Sequence, residues 1–343
     1  MKIKLFIKIL TIIIFTPFYL ISQSGVSKVG TTAAAFLEIP VGGPAVGLGG
    51  AFVSIANDAS ALYWNAGGIS TIGKYDVHLS HMDWIADTKF NFAGIVLPLS
   101  GFGTIGFSFT SLTMSDMLVR TVEQPEGTGE YFSAGDISIG LSYAKNLTNR
   151  FSIGFTAKYV QENIWHMVAD GWAIDIGTLF KTDLLGGMDI GASISNFGTD
   201  LKLSGRDTRY FIRVDQTKEG SNDRIPTNIE LNSWDLPLMF RIGVSSNIVK
   251  NDTYRFTAAV DAIHPNNDYP SMNVGGEFGF MDYLVIRGGY NALFLQDSEG
   301  GLSLGVGVNS KMLFSETNIR FDYAYRNFGR LQNVHMFSLD FMF

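Results

Sequence analysis

Few residues in this chain have the types and spacing to do chemistry, and each group can be weighed against what that chemistry needs. Residues 41–70 read VGGPAVGLGGAFVSIANDASALYWNAGGIS, and the glycines from Gly42 to Gly50 suggest a phosphate cradle. A loop of the G-x-x-x-x-G-K-[ST] type needs a cation, and no Lys or Arg lies between Lys28 and Lys74. Glycine and alanine at this density suit a backbone pressed against a wall and turned sharply. Gly301-Leu302-Ser303-Leu304-Gly305 spells the G-x-S-x-G nucleophile pattern. That pattern works at a strained strand-to-helix turn; here it sits inside an alternating run, so Ser303 reads as one small side chain on a strand face. His78 and His81 are three apart, on opposite faces of a strand, and cannot converge on one metal. There is no cysteine, so thiolate nucleophiles, thiolate metal sites and disulfides are excluded. The expectation is a non-enzyme with no catalytic residue, metal or cofactor.

The elements that position these residues are strands. From residue 74 onward, apolar residues alternate with small or polar ones. Leu302, Leu304, Val306 and Val308 interleave with Ser303, Gly305, Gly307 and Asn309. Leu238, Phe240, Ile242 and Val244 interleave with Met239, Arg241, Gly243 and Ser245. Successive strand side chains face opposite sides, so one face suits lipid and the other a wet or filled lumen. The alternation marks about fourteen segments. They span residues 74–83, 88–99, 102–112, 135–146, 150–162, 169–181, 187–199, 236–248, 253–263, 270–280, 282–293, 300–310, 315–327 and 331–343. The connections after the third and seventh (113–134 and 200–235) are long, and those after the second, fourth, eighth and tenth are short. That parity fits a bacterial barrel with short periplasmic turns and longer outer loops. Phe337, Leu339, Phe341 and Phe343 share one face of the last strand, the form of a barrel assembly signal.

Composition agrees. Charged residues are 17% of the 343, against roughly 25% in soluble proteins, with 38 Gly and 27 Phe. The net charge of −7 argues against a nucleic-acid partner. Lys2, Lys4 and Lys8 precede an apolar run from Ile9 to Ile21, so residues 1–22 read as a signal peptide cleaved near Gln23. No later stretch approaches the ~20 apolar residues of a spanning helix. The expected fold is all-β, a transmembrane antiparallel β-barrel of about 14 strands (74–343), with residues 23–73 as a small plug. The expected location is the outer membrane of a Gram-negative-type bacterium, against outer-membrane lipid.

Three residue sets follow. Lys158, Asp175, Arg241, Asp261, Glu277, Arg287, Arg320 and Asp322 share the inward parity, as do Arg255, Arg326 and Asp340. Mixed signs in a lumen pair with one another and with a plug. Asn57, Asp58, Trp64 and Asn65 are the expected plug anchors. Leu112, Met114, Met117, Trp165, Met167, Trp234 and Leu236 fall near the outer ends of strands, where Met and Trp could form a landing site for a peptide or lipid, or an interfacial belt. Residues 206–224, rich in Arg, Lys, Asp and Glu, read as a solvated loop.

About fourteen strands behind a small-residue N-terminal segment resemble the FadL-like superfamily of plugged barrels. Within it, Gly30-Thr31-Thr32-Ala33-Ala34-Ala35-Phe36-Leu37, then Gly42 to Gly50, then Asn57-Asp58-Ala59-Ser60-Ala61-Leu62-Tyr63-Trp64-Asn65 resemble the PorV/PorQ family. The family continues Asn-Pro-Ala-Gly where this chain has Asn65-Ala66-Gly67-Gly68, and it has a basic residue near Pro44 that is absent here. The resemblance implies a part in type IX protein secretion, with a secretion translocon and the C-terminal signal domains of cargo as partners. Its superfamily implies the alternative, a FadL-like channel for a hydrophobic ligand. Fold does not decide between them.

Overall fold

The computed structural model describes residues 28–184, 187–213, 217, 224–281, 283–295, 298–310, 317–331 and 333–343. Residues 1–22, expected to be a signal peptide, lie outside the described residues.

Fourteen strands form the wall. They are β1 (Asp76–Asp83), β2 (Lys89–Leu99), β3 (Gly103–Thr113), β4 (Ala134–Asn146), β5 (Phe151–Ile164), β6 (Met167–Thr182) and β7 (Met188–Gly198). There follow β8 (Met239–Lys250), β9 (Tyr254–Pro265), β10 (Ser271–Phe280), β11 (Leu284–Leu293), β12 (Leu302–Asn309), β13 (Asn318–Asn327) and β14 (Asn333–Met342). Each is antiparallel to its sequence neighbour, and β14 pairs with β1 from Asp76↔Met342 to Asp83↔His335, so the sheet closes on itself. Closure removes the unpaired edges that lipid would not tolerate. At the seam Tyr75 and Phe343 exchange backbone hydrogen bonds of 3.2 and 3.0 Å, and their rings stack at 5.7 Å. Among the described residues no helix is long and apolar enough to cross a membrane.

Burial alternates with period two along the wall, as in β12, where Leu302, Leu304, Val306 and Val308 are exposed and Ser303, Gly305 and Gly307 are buried. Phe107, Leu141, Phe155, Ile242 and Phe337 continue the exposed apolar band on other strands. An apolar exterior over a small and polar interior is the pattern lipid selects.

The N-terminal segment fills the lumen. A 3₁₀ turn (Ala35–Glu38), helices α1 (Gly43–Gly47) and α2 (Ala61–Trp64), and a second 3₁₀ turn (Ala66–Thr71) lie one after another within it. Pro44 suits the first turn of α1, where an N–H would be unpaired anyway. Gly49 and Gly50 then turn the chain at φ 67° and 82°, a conformation only glycine adopts without strain. Leu48, Phe52 and Trp64 form the plug's own apolar cluster, with Phe52 and Trp64 edge to face.

One loop expectation is corrected. The turn after β5 is among the shortest connections, although it falls on the outer side: β5 and β6 extend through residues 163–164 and 167–168, leaving Trp165-His166 as a two-residue link. Cross-strand pairing as far as Ile164↔Met167 outweighs the turn's strain, and Trp165 takes φ 52°. Trp165→Gly is therefore expected to fold normally and to gain about 1 kcal/mol against urea unfolding in lipid; a loss of stability would contradict this.

Candidate functional site: the filled lumen and its outer mouth

The seat for the plug is made by what the inward wall lacks. Gly154, Gly177, Gly191, Gly275 and Gly289 lie on the inward parity of β5, β6, β7, β10 and β11. A Cβ at each would collide with plug backbone: with Ala66 from Gly154, with Ala66 and the Asn65 side chain from Gly177, with Val53 from Gly191, and with Leu48 from Gly275 and Gly289.

Polar wall residues then take the plug's orphan N–H groups. The Asp261 carboxylate accepts from Phe52 and Val53 at 2.8 and 2.9 Å, and Asp76 accepts from Ala59 at 2.8 Å. Ser338 Oγ accepts from Gly43 at 3.0 Å, and Glu162 Oε1 from Ala34 at 2.7 Å. Asn65 caps the second 3₁₀ turn by accepting from Gly67, while its amide donates to Val53 O and Thr178 O at 2.8 and 2.9 Å. Trp64 Nε1 donates to Val41 O at 2.8 Å, and the Arg241 guanidinium lies over the Tyr63 and Trp64 rings. Asn267 donates to Thr32 and Glu38; burial pushes the Glu38 carboxyl above its ordinary value, and the Asn267 bond partly offsets this.

An ion-pair lattice runs along one side of the lumen. Arg320 on β13 binds Asp58 of the plug, Asp322 at 2.9 Å and Asp340 at 3.0 Å. Asp340 also bonds His78 at 2.7 Å. Arg287 joins Asp322 to Glu277, and Arg255 joins Glu277 at 2.6 Å. Asp58, His78 and Asp340 bring three ligand atoms within 4.8 Å of one another, but the Arg320 guanidinium already donates to both carboxylates. Across the lumen, Lys158 binds Asp175 at 2.9 Å and also reaches Asn196.

Asn57 departs from the expected anchor set. It is exposed and, among the described residues, makes no hydrogen bond, whereas its neighbour Asp58 is fully buried. Ala56 turns the chain at φ 29°, and adjacent residues so placed need not face the same way.

The outer mouth is shaped by the end of β7. Ile174 pairs with Phe197 but Ile176 with Ile194, so Ser195 and Asn196 form a bulge opposite Asp175. Asn196 sits at φ 65°, donates its N–H to Asp175 at 2.7 Å and its amide to Pro237 O at 3.0 Å. A bulge re-aims a strand. Beyond it the chain brings Leu201 to full burial, bridged to Trp234 by two backbone bonds of 2.9 Å. Asp235 O accepts from Ala33 at 2.9 Å, tying this loop to the plug.

Between the loop and the plug lies a cavity of about 470 Å³. Leu201, Leu203, Leu231, Trp234, Ala33 and Ala169 supply apolar walls; Gly30, Thr32, Asn232 and Glu162 complete the lining. A second hollow, of about 390 Å³, opens on the outer wall around Leu79, Phe109, Phe321 and Phe337, where lipid lies.

The seven residues expected at the mouth do not converge. Trp234 alone of them lines the cavity. Leu236 and Met167 are buried, and Leu112 packs against the interior core. Met117 is exposed on a short ribbon paired with Phe132, Met114 is half-buried in the same loop, and Trp165 stacks on His166 at the hairpin tip. Leu201, Leu203 and Leu231 were not among the candidates, since they lie in a loop with no periodicity. Glu162 ends an alternating strand and was legible as inward.

Residues 21–160 match the family model described as "Uncharacterised protein family (UPF0164)". No curated protein matches the chain. Among solved structures, a Pseudomonas aeruginosa FadL homologue is 12% identical with a TM-score of 0.51, covering 88% of this chain and 98% of its own. The Ralstonia pickettii toluene transporter TbuX is 12% identical, TM-score 0.50, at 88% and 97% coverage. The Pseudomonas putida toluene transporter TodX is 12% identical, TM-score 0.51, at 87% and 96%. The fold is that of the FadL-like outer-membrane barrels. The likeness is one of architecture over nearly the full length of each of these chains. With its apolar outer band, a barrel of this fold sits in the outer membrane of a Gram-negative-type bacterium.

Proposed function

We propose that this barrel captures hydrophobic small molecules at its outer mouth as the first step of their entry. The observation that carries the reading is the cavity between the inward-folded β7–β8 loop and the plug. Its volume lies within the range of about 300–1,000 Å³ usual for ligand pockets, and its walls are mostly apolar with a few polar groups. The fold is shared with barrels described as toluene transporters and a monoaromatic hydrocarbon channel. In the state described the lumen is filled, so onward passage requires the plug to shift within its seat.

Saturable binding of naphthalene to the barrel in lipid nanodiscs, measured by equilibrium dialysis against empty discs, tests the capture step. Leu231→Trp fills the cavity from its half-buried rim. It is expected to weaken saturable binding about tenfold or more. Equal binding by both proteins, or none by the wild type, overturns the reading.

A second reading keeps the secretion role implied by the resemblance of residues 29–70. It is favoured by the antiparallel ribbon Arg209–Ile212 with Ile225–Asn228, which stands on the outer side with Tyr210 and Phe211 exposed. Exposed aromatics suit a protein partner. A deletion strain that exports all its surface proteins normally would eliminate this reading.

A further inference from the structure

We propose that the mouth cavity prefers ligands combining an apolar body with one protonated amine, held by Glu162 and Asp136. This rests on the cavity being a ligand site, as above. Among the described residues, Glu162 is the sole ionisable residue in the cavity lining. In the β4–β5 ladder it stands directly opposite Asp136, and both side chains have the inward parity. Directly opposed residues have Cβ atoms about 5 Å apart, and like charges there repel.

The pair differs in how it is satisfied from the inward acids that hold the plug or join the ion-pair lattice. On β1, β9, β10, β13 and β14, Asp76, Asp261, Glu277, Asp322 and Asp340 each meet a plug N–H, an arginine or a histidine. Among the described residues, Glu162 receives one donor, the Ala34 N–H, and Asp136 receives none; neither has an ion-pair partner. Glu162 faces the apolar chamber, and Asp136 stands beside it as its ladder partner; together the two carboxyls leave acceptor capacity for N–H donors and favour positive charge. A hard metal ion suits the place poorly. Calcium takes 6–8 oxygens, while one Glu162 oxygen already accepts from Ala34 and leucines make up much of the wall. An ammonium needs only two or three acceptors, and its apolar remainder fills the leucine-lined space. The alternative state of the pair, one proton shared between two acids, confers no such preference.

The test is a matched series on one aromatic body, measured by equilibrium dialysis in nanodiscs at neutral pH. The ligands are 1-naphthylmethylamine, 1-naphthalenemethanol and 1-naphthoate. The amine is expected to bind about tenfold or more tighter than the alcohol, and the carboxylate weakest. Glu162→Gln keeps an acceptor for Ala34 and is expected to bring the amine-to-alcohol ratio toward one. Asp136→Asn should lower the same ratio without touching any plug contact. Equal binding of amine and alcohol to the wild type overturns this proposal but leaves the cavity as a ligand site. A preference that survives in the double variant also overturns it. Failure of all three ligands to bind saturably overturns both readings.

Discussion

Arg320→Met is expected to lower the stability of the barrel by about 3–5 kcal/mol and to free the plug. The magnitude is that of removing one partner from a buried, hydrogen-bonded charge group. Arg320 is the junction of the lattice, bound at once to Asp58 of the plug, Asp322 of its own strand and Asp340 of the next. Asp322 would keep Arg287, and Asp340 would keep His78. Asp58 would keep only Ser60, whose N–H and hydroxyl both donate to it, and would be left with its charge buried and uncompensated. The expected result is therefore specific to the plug. The urea midpoint of the barrel in lipid should fall, and protease should reach residues 28–73 in the folded protein. Adding Asp58→Asn to Arg320→Met should recover much of the loss, because the stranded charge is then gone. An unchanged midpoint, or no recovery in the double variant, would show that the lattice does not hold the plug.

Gly191→Leu should displace the plug by sterics instead of charge. A side chain at Gly191 points at the Val53 carbonyl and the Ser54 backbone, with no flexible neighbour able to yield. The plug must shift, and with it the Asp261 bonds to Phe52 and Val53. Overpacking of this kind typically costs about 1–3 kcal/mol. The clearer readout is functional: the variant in a planar bilayer is expected to conduct ions where the wild type is quiet. Gly276→Leu is the matched control. Gly276 has the outward parity on β10, and a Cβ there meets only the Phe256 ring at ordinary contact distance. It should leave conductance unchanged. Conductance equal in Gly191→Leu and the wild type would sink the idea that these inward glycines are the plug's seat.

The wall was legible because lipid imposes one rule on every strand. Outward positions must be apolar and inward ones small or polar, so period-two alternation gave the strand number and the inward face on which Arg241, Glu277, Arg287, Arg320 and Asp322 lie. The closed ladder bears out the barrel. Residues 41–70 could be recognised as packing material from their lack of cations. Composition does not report which polar group meets which. Asp58 and Asn57 are neighbours of similar chemistry, yet one is buried against Arg320 and the other exposed. That difference is set by the turn at Ala56 and by where β13 lies across the lumen. The mouth was the least legible part. Its chamber depends on a bulge at Asn196 that folds a long loop inward, and on leucines in a segment with no periodicity. Local sequence determined which way each strand side chain faces, because the alternation of a strand is local. Only the tertiary structure decided which groups meet across the lumen, because those contacts join residues up to 295 positions apart.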